Sequence, residues 1–143
     1  VSTYNQEVIS ICFVDEIKKT SASPSPVLQK ALKQIEEYFN GKRSEFDFPF
    51  RWVGTDFQVK IWKLVSRIPY GTSLAYVKLA KAYGDAKMVR AFAAALAKNP
   101  LIILIPCHRV MGSDGSLVGY SAGIDKKRQL LELEGFPKQI AVL

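Results

Sequence analysis

Two hydrophobic periods run along this chain, and one gives way to the other near residue 54. Glu7 to Val14 (Glu-Val-Ile-Ser-Ile-Cys-Phe-Val) is dense in β-branched and aromatic residues and predicts a strand. Cys12 inside it reads as a small buried hydrophobe. After the Ser/Pro stretch of residues 21–26, Ser25 can cap a helix whose first turn holds Pro26. Val27, Leu28, Ala31, Leu32, Ile35, Tyr38 and Phe39 recur at helical spacing, and Gly41 stops the element. Phe46, Phe48, Phe50 and Trp52 alternate, which suggests an extended segment with an aromatic face, although Pro49 argues against a central strand. Residues 1–53 thus read as a small α/β lobe.

From Gly54 the period becomes helical. Thr55 and Gln58 have capping-box spacing ahead of an apolar stripe of Phe57, Ile61, Trp62, Leu64 and Val65. A second helix is predicted from about Ser73 to Tyr83, ending at Gly84, and a third from near Asp85 to Lys98. The pair is either a helix-turn-helix or two ordinary packed helices. The third helix is nearly all small residues with one long cation, Arg90, a composition explained either by helix propensity or by close approach to a nucleic-acid groove. Asn99-Pro100 ends it, Leu101 to Ile105 reads as a buried strand, and Pro106 closes that run. Glycines punctuate the following loop, and a last helix is predicted from about Asp125 to Glu134, before Gly135.

Composition narrows the class. The 143 residues are 48% hydrophobic and 23% charged, which suits one compact domain or two small lobes and excludes disordered, collagenous and disulfide-stapled chains. No run approaches the roughly 20 apolar residues of a membrane span, and the polar start shows no secretory pattern. A cytoplasmic protein (nuclear in a eukaryote) with no membrane partner is expected. Two cysteines, Cys12 and Cys107, fit a reducing compartment, and with the single histidine His108 they allow no tetrahedral zinc site of the usual spacing. The net charge of +7 favours polyanionic partners.

The chemistry concentrates at Cys107-His108-Arg109, after the most hydrophobic run and a proline. A buried thiol alone is inert, because desolvation raises its pKa. A neutral imidazole can accept its proton, and a cationic surrounding favours the thiolate. Adjacent side chains on an extended backbone point apart, so a water bridge between Cys107 and His108 is more plausible than contact. A histidine acting as base wants an acidic partner, and Glu134 is a candidate that spacing alone does not establish. As residue types, Cys beside His is either a reactive pair or a structural coincidence.

Ile105-Pro106-Cys107-His108-Arg109-Val110 resembles the active-site motif of the O6-alkylguanine-DNA alkyltransferases, also called methylated-DNA–protein-cysteine methyltransferases. Gly54-Thr55-Asp56-Phe57-Gln58 with Ile61-Trp62, Ile68-Pro69-Tyr70-Gly71, Ala75-Tyr76, Arg90-Ala91, Asn99-Pro100, Gly119-Tyr120-Ser121-Ala122-Gly123 and Leu130 to Gly135 are similar to further family motifs, in the family's order and at similar spacing. The resemblance covers roughly residues 54–135.

It implies an α/β fold with a small N-terminal α/β lobe (1–53) packed on a mostly helical, winged-helix-like DNA-binding domain (54–143). It further implies irreversible, stoichiometric transfer of an alkyl group from O6 of guanine in duplex DNA to Cys107, after the nucleotide is flipped out. His108 would take the thiol proton, Glu134 orient His108, Tyr76 donate to the guanine ring, and Asn99 tie the strand to the recognition helix. Val110, Tyr120 and Ser121 would bind the base. Arg90, Ala91, Ala93, Ser113 and Arg109 would meet DNA in the minor groove, with Arg90 filling the vacated place in the stack. A monomer that needs no cofactor or metal is implied. Alkyltransferase-like recognition proteins, which carry another residue in place of the cysteine, are disfavoured by Cys107. A plain helix-turn-helix regulator leaves Pro106 to Arg109 without purpose, and a Cys-His hydrolase lacks an oxyanion-hole motif.

Overall fold

The computed structural model describes residues 1–14, 24–112, 120 and 122–135. They form two compact units, Val1–Val53 with Pro100–Ile102, and Gly54–Asn99 with the residues from Ile103 onward.

The first unit opens with an antiparallel hairpin of β1 (Ser2–Tyr4) and β2 (Glu7–Ser10), turned by Asn5 and Gln6 at φ of 48° and 62°. Positive φ at both central residues matches the right-handed twist of a tight hairpin. The strand predicted over Glu7 to Val14 is therefore shorter, and β1 was not anticipated. Beyond Ser10, among the described residues, pairing continues as a bridge from Ile11 to Leu101, and Val8 bridges Phe50. Cys12, expected inside, is exposed, because the chain has left the strand before reaching it. Helix α1 (Pro26–Phe39) starts as its sequence predicts, with Ser25 accepting from Leu28 N at 3.3 Å and proline in the first turn. Its inward stripe is Val27, Ala31, Gln34 and Tyr38. The aromatic run after it forms a tilted and edge-on cluster, Tyr38–Phe46–Phe48, rather than a strand face.

The second unit is helical. Helix α2 (Asp56–Val65) begins with a complete capping box, Thr55 accepting from Gln58 N at 3.1 Å and Gln58 Oε1 accepting from Thr55 N at 3.0 Å. Buried Trp62 donates from Nε1 to the Ala95 carbonyl at 2.9 Å, joining α2 to α4 (Val89–Ala97). Phe57, Tyr83 and Phe92 meet edge-on at 5.4–6.2 Å and bring α3 (Tyr76–Tyr83) into the same core. Gly84 at φ 126° turns the chain between α3 and α4, and Asp85 caps a short 3-10 turn, Ala86–Met88, by accepting from Lys87 N at 2.8 Å.

Two elements differ from expectation. The helix predicted from Ser73 begins at Tyr76, because Leu74–Ala75 are drawn into a strand, β3, that pairs in parallel with β4 (Val110–Met111). The apolar run Leu101 to Ile105 is buried except for half-buried Leu104, but it is no strand, since Ile103 turns back at φ 72°. A short apolar run carries no period that separates a strand from a buried turn. The final helix, α5 (Ile124–Leu133), ends at Glu134, with Gly135 at φ 85° behind it.

Gly54 is required by close approach rather than by φ. A Cβ there would lie 2.5 Å from the Trp62 ring, which is 1% exposed and tethered to Ala95. Gly54→Ala is expected to destabilise the chain by about 1–3 kcal/mol, the usual cost of overpacking, read as a lower midpoint in urea unfolding.

Candidate active site

Local backbone geometry sets the reactive residue. Pro106 sits at φ −80° and ψ 62°, with Cys107 N donating to the Ile105 carbonyl at 2.8 Å, which is an inverse γ-turn. Cys107–Arg109 then form one 3-10 turn, not the extended segment expected. Successive side chains on such a turn diverge by about 120°. Cys107, His108 and Arg109 are all buried, His108 completely.

The polar atoms of His108 and Arg109 converge on Glu134 at the end of α5. His108 Nε2 lies 2.7 Å from Glu134 Oε2, and Arg109 forks onto the same carboxylate, Nε to Oε1 at 2.8 Å and Nη2 to Oε2 at 3.0 Å. The remaining guanidinium nitrogen of Arg109 donates to the Ile68 carbonyl at 2.7 Å, and Gly71 N donates to Glu134 Oε1 at 3.2 Å. A carboxylate bound by arginine only accepts, so His108 donates from Nε2 and its Nδ1 carries the lone pair. That Nδ1 is buried with no hydrogen-bond partner among the described residues. Burial pulls the His108 pKa below the ordinary imidazole value, against the opposing pull of Glu134. The ring is therefore neutral near pH 7 and fit to receive a proton.

The sulfur has its own partners. Asn99 Nδ2 donates to the Ile105 carbonyl at 2.8 Å and lies 3.1 Å from Cys107 Sγ, so one amide spans the buried turn and touches the thiol. Burial pushes the Cys107 thiol up to about 12, against the Asn99 hydrogen bond and the charge of Lys127. The cationic surrounding anticipated from sequence does not outweigh desolvation, and the resting sulfur is protonated. Tyr76, at the first position of α3, and Tyr120 are both raised by burial and then by Cys107, and the Tyr120 hydroxyl is buried without a hydrogen-bond partner among the described residues.

The other expected site residues divide. Val110 is buried in β4. On α4, Arg90 and Ala93 are exposed and Ala91 is half-buried, opposite the inward stripe of Phe92, Ala95 and Leu96. Arg109 is a correction. Expected at DNA, it is 7% exposed with its guanidinium committed to Glu134 and Ile68, so it braces the site from inside. Ser113 and Ser121 lie outside the described residues. Lys127 was missed. It is fully buried, and its Nζ donates to the Val110 carbonyl at 2.5 Å. The signal was present in sequence, because Lys127, Leu130, Leu131 and Glu134 share one helical stripe. Among the described residues, no group of three or more His, Cys, Asp or Glu could hold a metal ion, and no helix is long and apolar enough to cross a membrane.

Comparison with known proteins accounts for nearly the whole chain. Residues 56–136 match the DNA-binding domain of 6-O-methylguanine DNA methyltransferase, and residues 4–52 match the ribonuclease-like domain of the same proteins. The methylated-DNA–protein-cysteine methyltransferase of Methanosarcina barkeri is 46% identical over 106 residues, covering 74% of this chain and 67% of that protein. The constitutive methyltransferase of that name from Bacillus subtilis is 40% identical over 121 residues, 84% of this chain and 73% of the relative. The crystal structure of Mycobacterium tuberculosis OGT in complex with DNA superposes with a TM-score of 0.82 at 36% identity, over 94% of this chain and 84% of that one. A further structure, of M. tuberculosis O6-methylguanine methyltransferase, has a TM-score of 0.70 at 44% identity, and there the match spans 75% of this chain but 65% of the solved one. With both domain models matched and such identities along most of its length, the chain belongs to the O6-alkylguanine-DNA alkyltransferase family, the methylated-DNA–protein-cysteine methyltransferases.

Proposed function

We propose that this chain is a methylated-DNA–protein-cysteine methyltransferase that repairs DNA by moving an alkyl group from O6 of guanine onto Cys107. The observation that carries this reading is the buried array in which Glu134 holds His108 while Asn99 touches the Cys107 sulfur. His108 Nδ1 takes the thiol proton through one water, and the sulfur attacks the alkyl carbon from behind. The S–C bond forms as the C–O6 bond breaks. Tyr76 supplies a proton to the guanine ring, so that the base leaves neutral, and is itself reprotonated by the proton that left the thiol. The net change is thiol plus alkylguanine to thioether plus guanine. No group in this array regenerates the thiol, so each chain acts once.

The substrate carbon is out of reach inside the stack, so the nucleotide must leave it, at a cost of a few kcal/mol that is smaller for a damaged base. The exposed Arg90 on an α4 face otherwise made of alanines, Ala93, Ala94 and Ala97, supports a helix that enters the minor groove with Arg90 holding the vacated place. Ala91 then lies at the groove floor. The Val110 carbonyl, Tyr120 and the Ser121 N–H would hold the flipped base, with Ser113 at the DNA backbone. The net charge of +7 supports phosphate-driven, sequence-tolerant binding. The chain works as a monomer with no cofactor. A nucleophilic thiol requires a reducing compartment, the cytoplasm or a nucleus.

The test is transfer of isotopically labelled methyl from O6-methylguanine in a duplex oligonucleotide. Transfer should saturate at one equivalent per chain, with the label in the peptide containing Cys107. Turnover beyond one equivalent, or a lesion left intact with that peptide unmodified, overturns the assignment.

A further inference from the structure

Phosphate-driven binding takes several cations, each neutralising about one phosphate. The exposed face of α4 carries Arg90 among alanines. Further cations gather at a groove of about 460 Å³ between α2 and the end of α3, lined by Lys60, Lys63, Leu64, Arg67, Ala82 and Tyr83. Lys63, Leu64 and Arg67 follow Lys60 by three, four and seven residues, a spacing that places all four on one helical face. Arg67 stays on that face because the turn after α2 prolongs it, with Arg67 N donating to the Leu64 carbonyl at 3.1 Å.

Tyr83 forms the other wall. Phe57 and Phe92 brace its ring edge-on, and Lys60 Nζ lies 5.7 Å from the ring centroid, a cation–π contact that holds the ammonium at the groove. Lys60, Lys63 and Arg67 are all exposed. Among the described residues, Lys60 and Arg67 enter no ion pair. The nearest acids in sequence, Asp56 and Asp85, stand at helix starts, where Asp85 accepts from Lys87 N at 2.8 Å. Like charges at helical spacing weaken a helix, so this face gains from an anion laid along it. From Lys60 to Arg67 the cations extend over about 10 Å of helix axis. That reach exceeds a single phosphate and suits about two to three neighbours on one nucleic-acid strand.

We propose that the α2–α3 groove is a second contact with DNA, a cradle for the sugar-phosphate backbone that supplies cations the α4 face lacks. Lys60 and Arg67 pair with phosphate oxygens, Arg67 as a fork, and Tyr83 is the firm wall behind them. Such a contact carries no sequence information, as suits a lesion that arises at any guanine. The inference rests on the reading of this chain as a protein that works on duplex DNA.

The test is the salt dependence of duplex binding by the full chain, followed by fluorescence anisotropy on oligonucleotides with and without O6-methylguanine. Lys60→Gln combined with Arg67→Gln should flatten the slope of log affinity against log salt by about 2, and weaken both duplexes about tenfold or more at 0.1 M salt. Lys60→Arg with Arg67→Lys keeps both charges and should keep the slope. Lys33→Gln with Lys42→Gln removes two exposed cations from the first unit and should leave the slope within about 0.5 of wild type. Urea unfolding shows whether each variant folds, and should the glutamine pair fail, Arg67→Gln alone should flatten the slope by about 1. An unchanged slope, an equal fall in the Lys33 and Lys42 pair, or a loss confined to the lesion-bearing duplex overturns the proposal. Methyl transfer by the wild-type chain separates the two readings. If the slopes rank as stated and no methyl leaves the DNA, the groove stands and the repair function falls.

Discussion

Glu134→Ala is expected to remove about 3–5 kcal/mol of folding stability, the usual result of deleting one partner of a buried charge pair. Arg109 would keep the Ile68 carbonyl but lose its carboxylate, His108 would lose its Nε2 acceptor, and Gly71 N would lose the carboxylate. Single domains are typically stable by about 5–15 kcal/mol, so the variant should unfold at a much lower urea concentration, with methyl transfer lost alongside. Glu134→Gln separates the two effects. Its amide oxygen can still accept from His108, but it cannot balance the developing imidazolium, so it should fold better than the alanine variant while transferring methyl about 10²-fold or more slowly, the scale of general-base assistance. A Glu134→Ala midpoint within about 0.5 kcal/mol of wild type, the range of a neutral surface change, would show that the carboxylate does not anchor this turn.

Cys107→Ala should abolish methyl transfer completely and leave affinity for lesion-bearing duplex in place. The exposed face of α4 does not depend on the sulfur, and Asn99 keeps its 2.8 Å bond to the Ile105 carbonyl when the sulfur goes. Unfolding should therefore change little, which makes the loss of transfer a chemical effect. Residual transfer in Cys107→Ala would place the nucleophile elsewhere, and exposed Cys12 is the first residue to test.

What could be read in advance followed the range of the interactions involved. Ser25 with Pro26, Thr55 with Gln58, and Gly84 closing α3 each act within a few residues, so the sequence displays both partners. The pairing of Leu74–Ala75 with Val110–Met111 joins segments far apart in the chain, each two residues long and too short to show a period. The same limit hid the turn at Ile103. The nature of residues 105–110 was plain from their motif, but the inward aim of Arg109 was not, because an arginine on a short turn can face either way until Glu134 and Ile68 fix it. Lys127 was overlooked for another reason. Its spacing to Leu130 and Leu131 places it on the buried stripe, but three consecutive cations, Lys126, Lys127 and Arg128, read as a solvated surface.

The dry setting of Cys107 also protects the molecule before it ever meets damage. With burial pushing the thiol up to about 12, the free thiolate is scarce near neutral pH. Peroxides and glutathione disulfide react with thiolates, and of the two cysteines Cys12 is the exposed one while Cys107 is buried. A protein consumed by a single reaction thereby keeps a long shelf life, its warhead latent until proton transfer arms it.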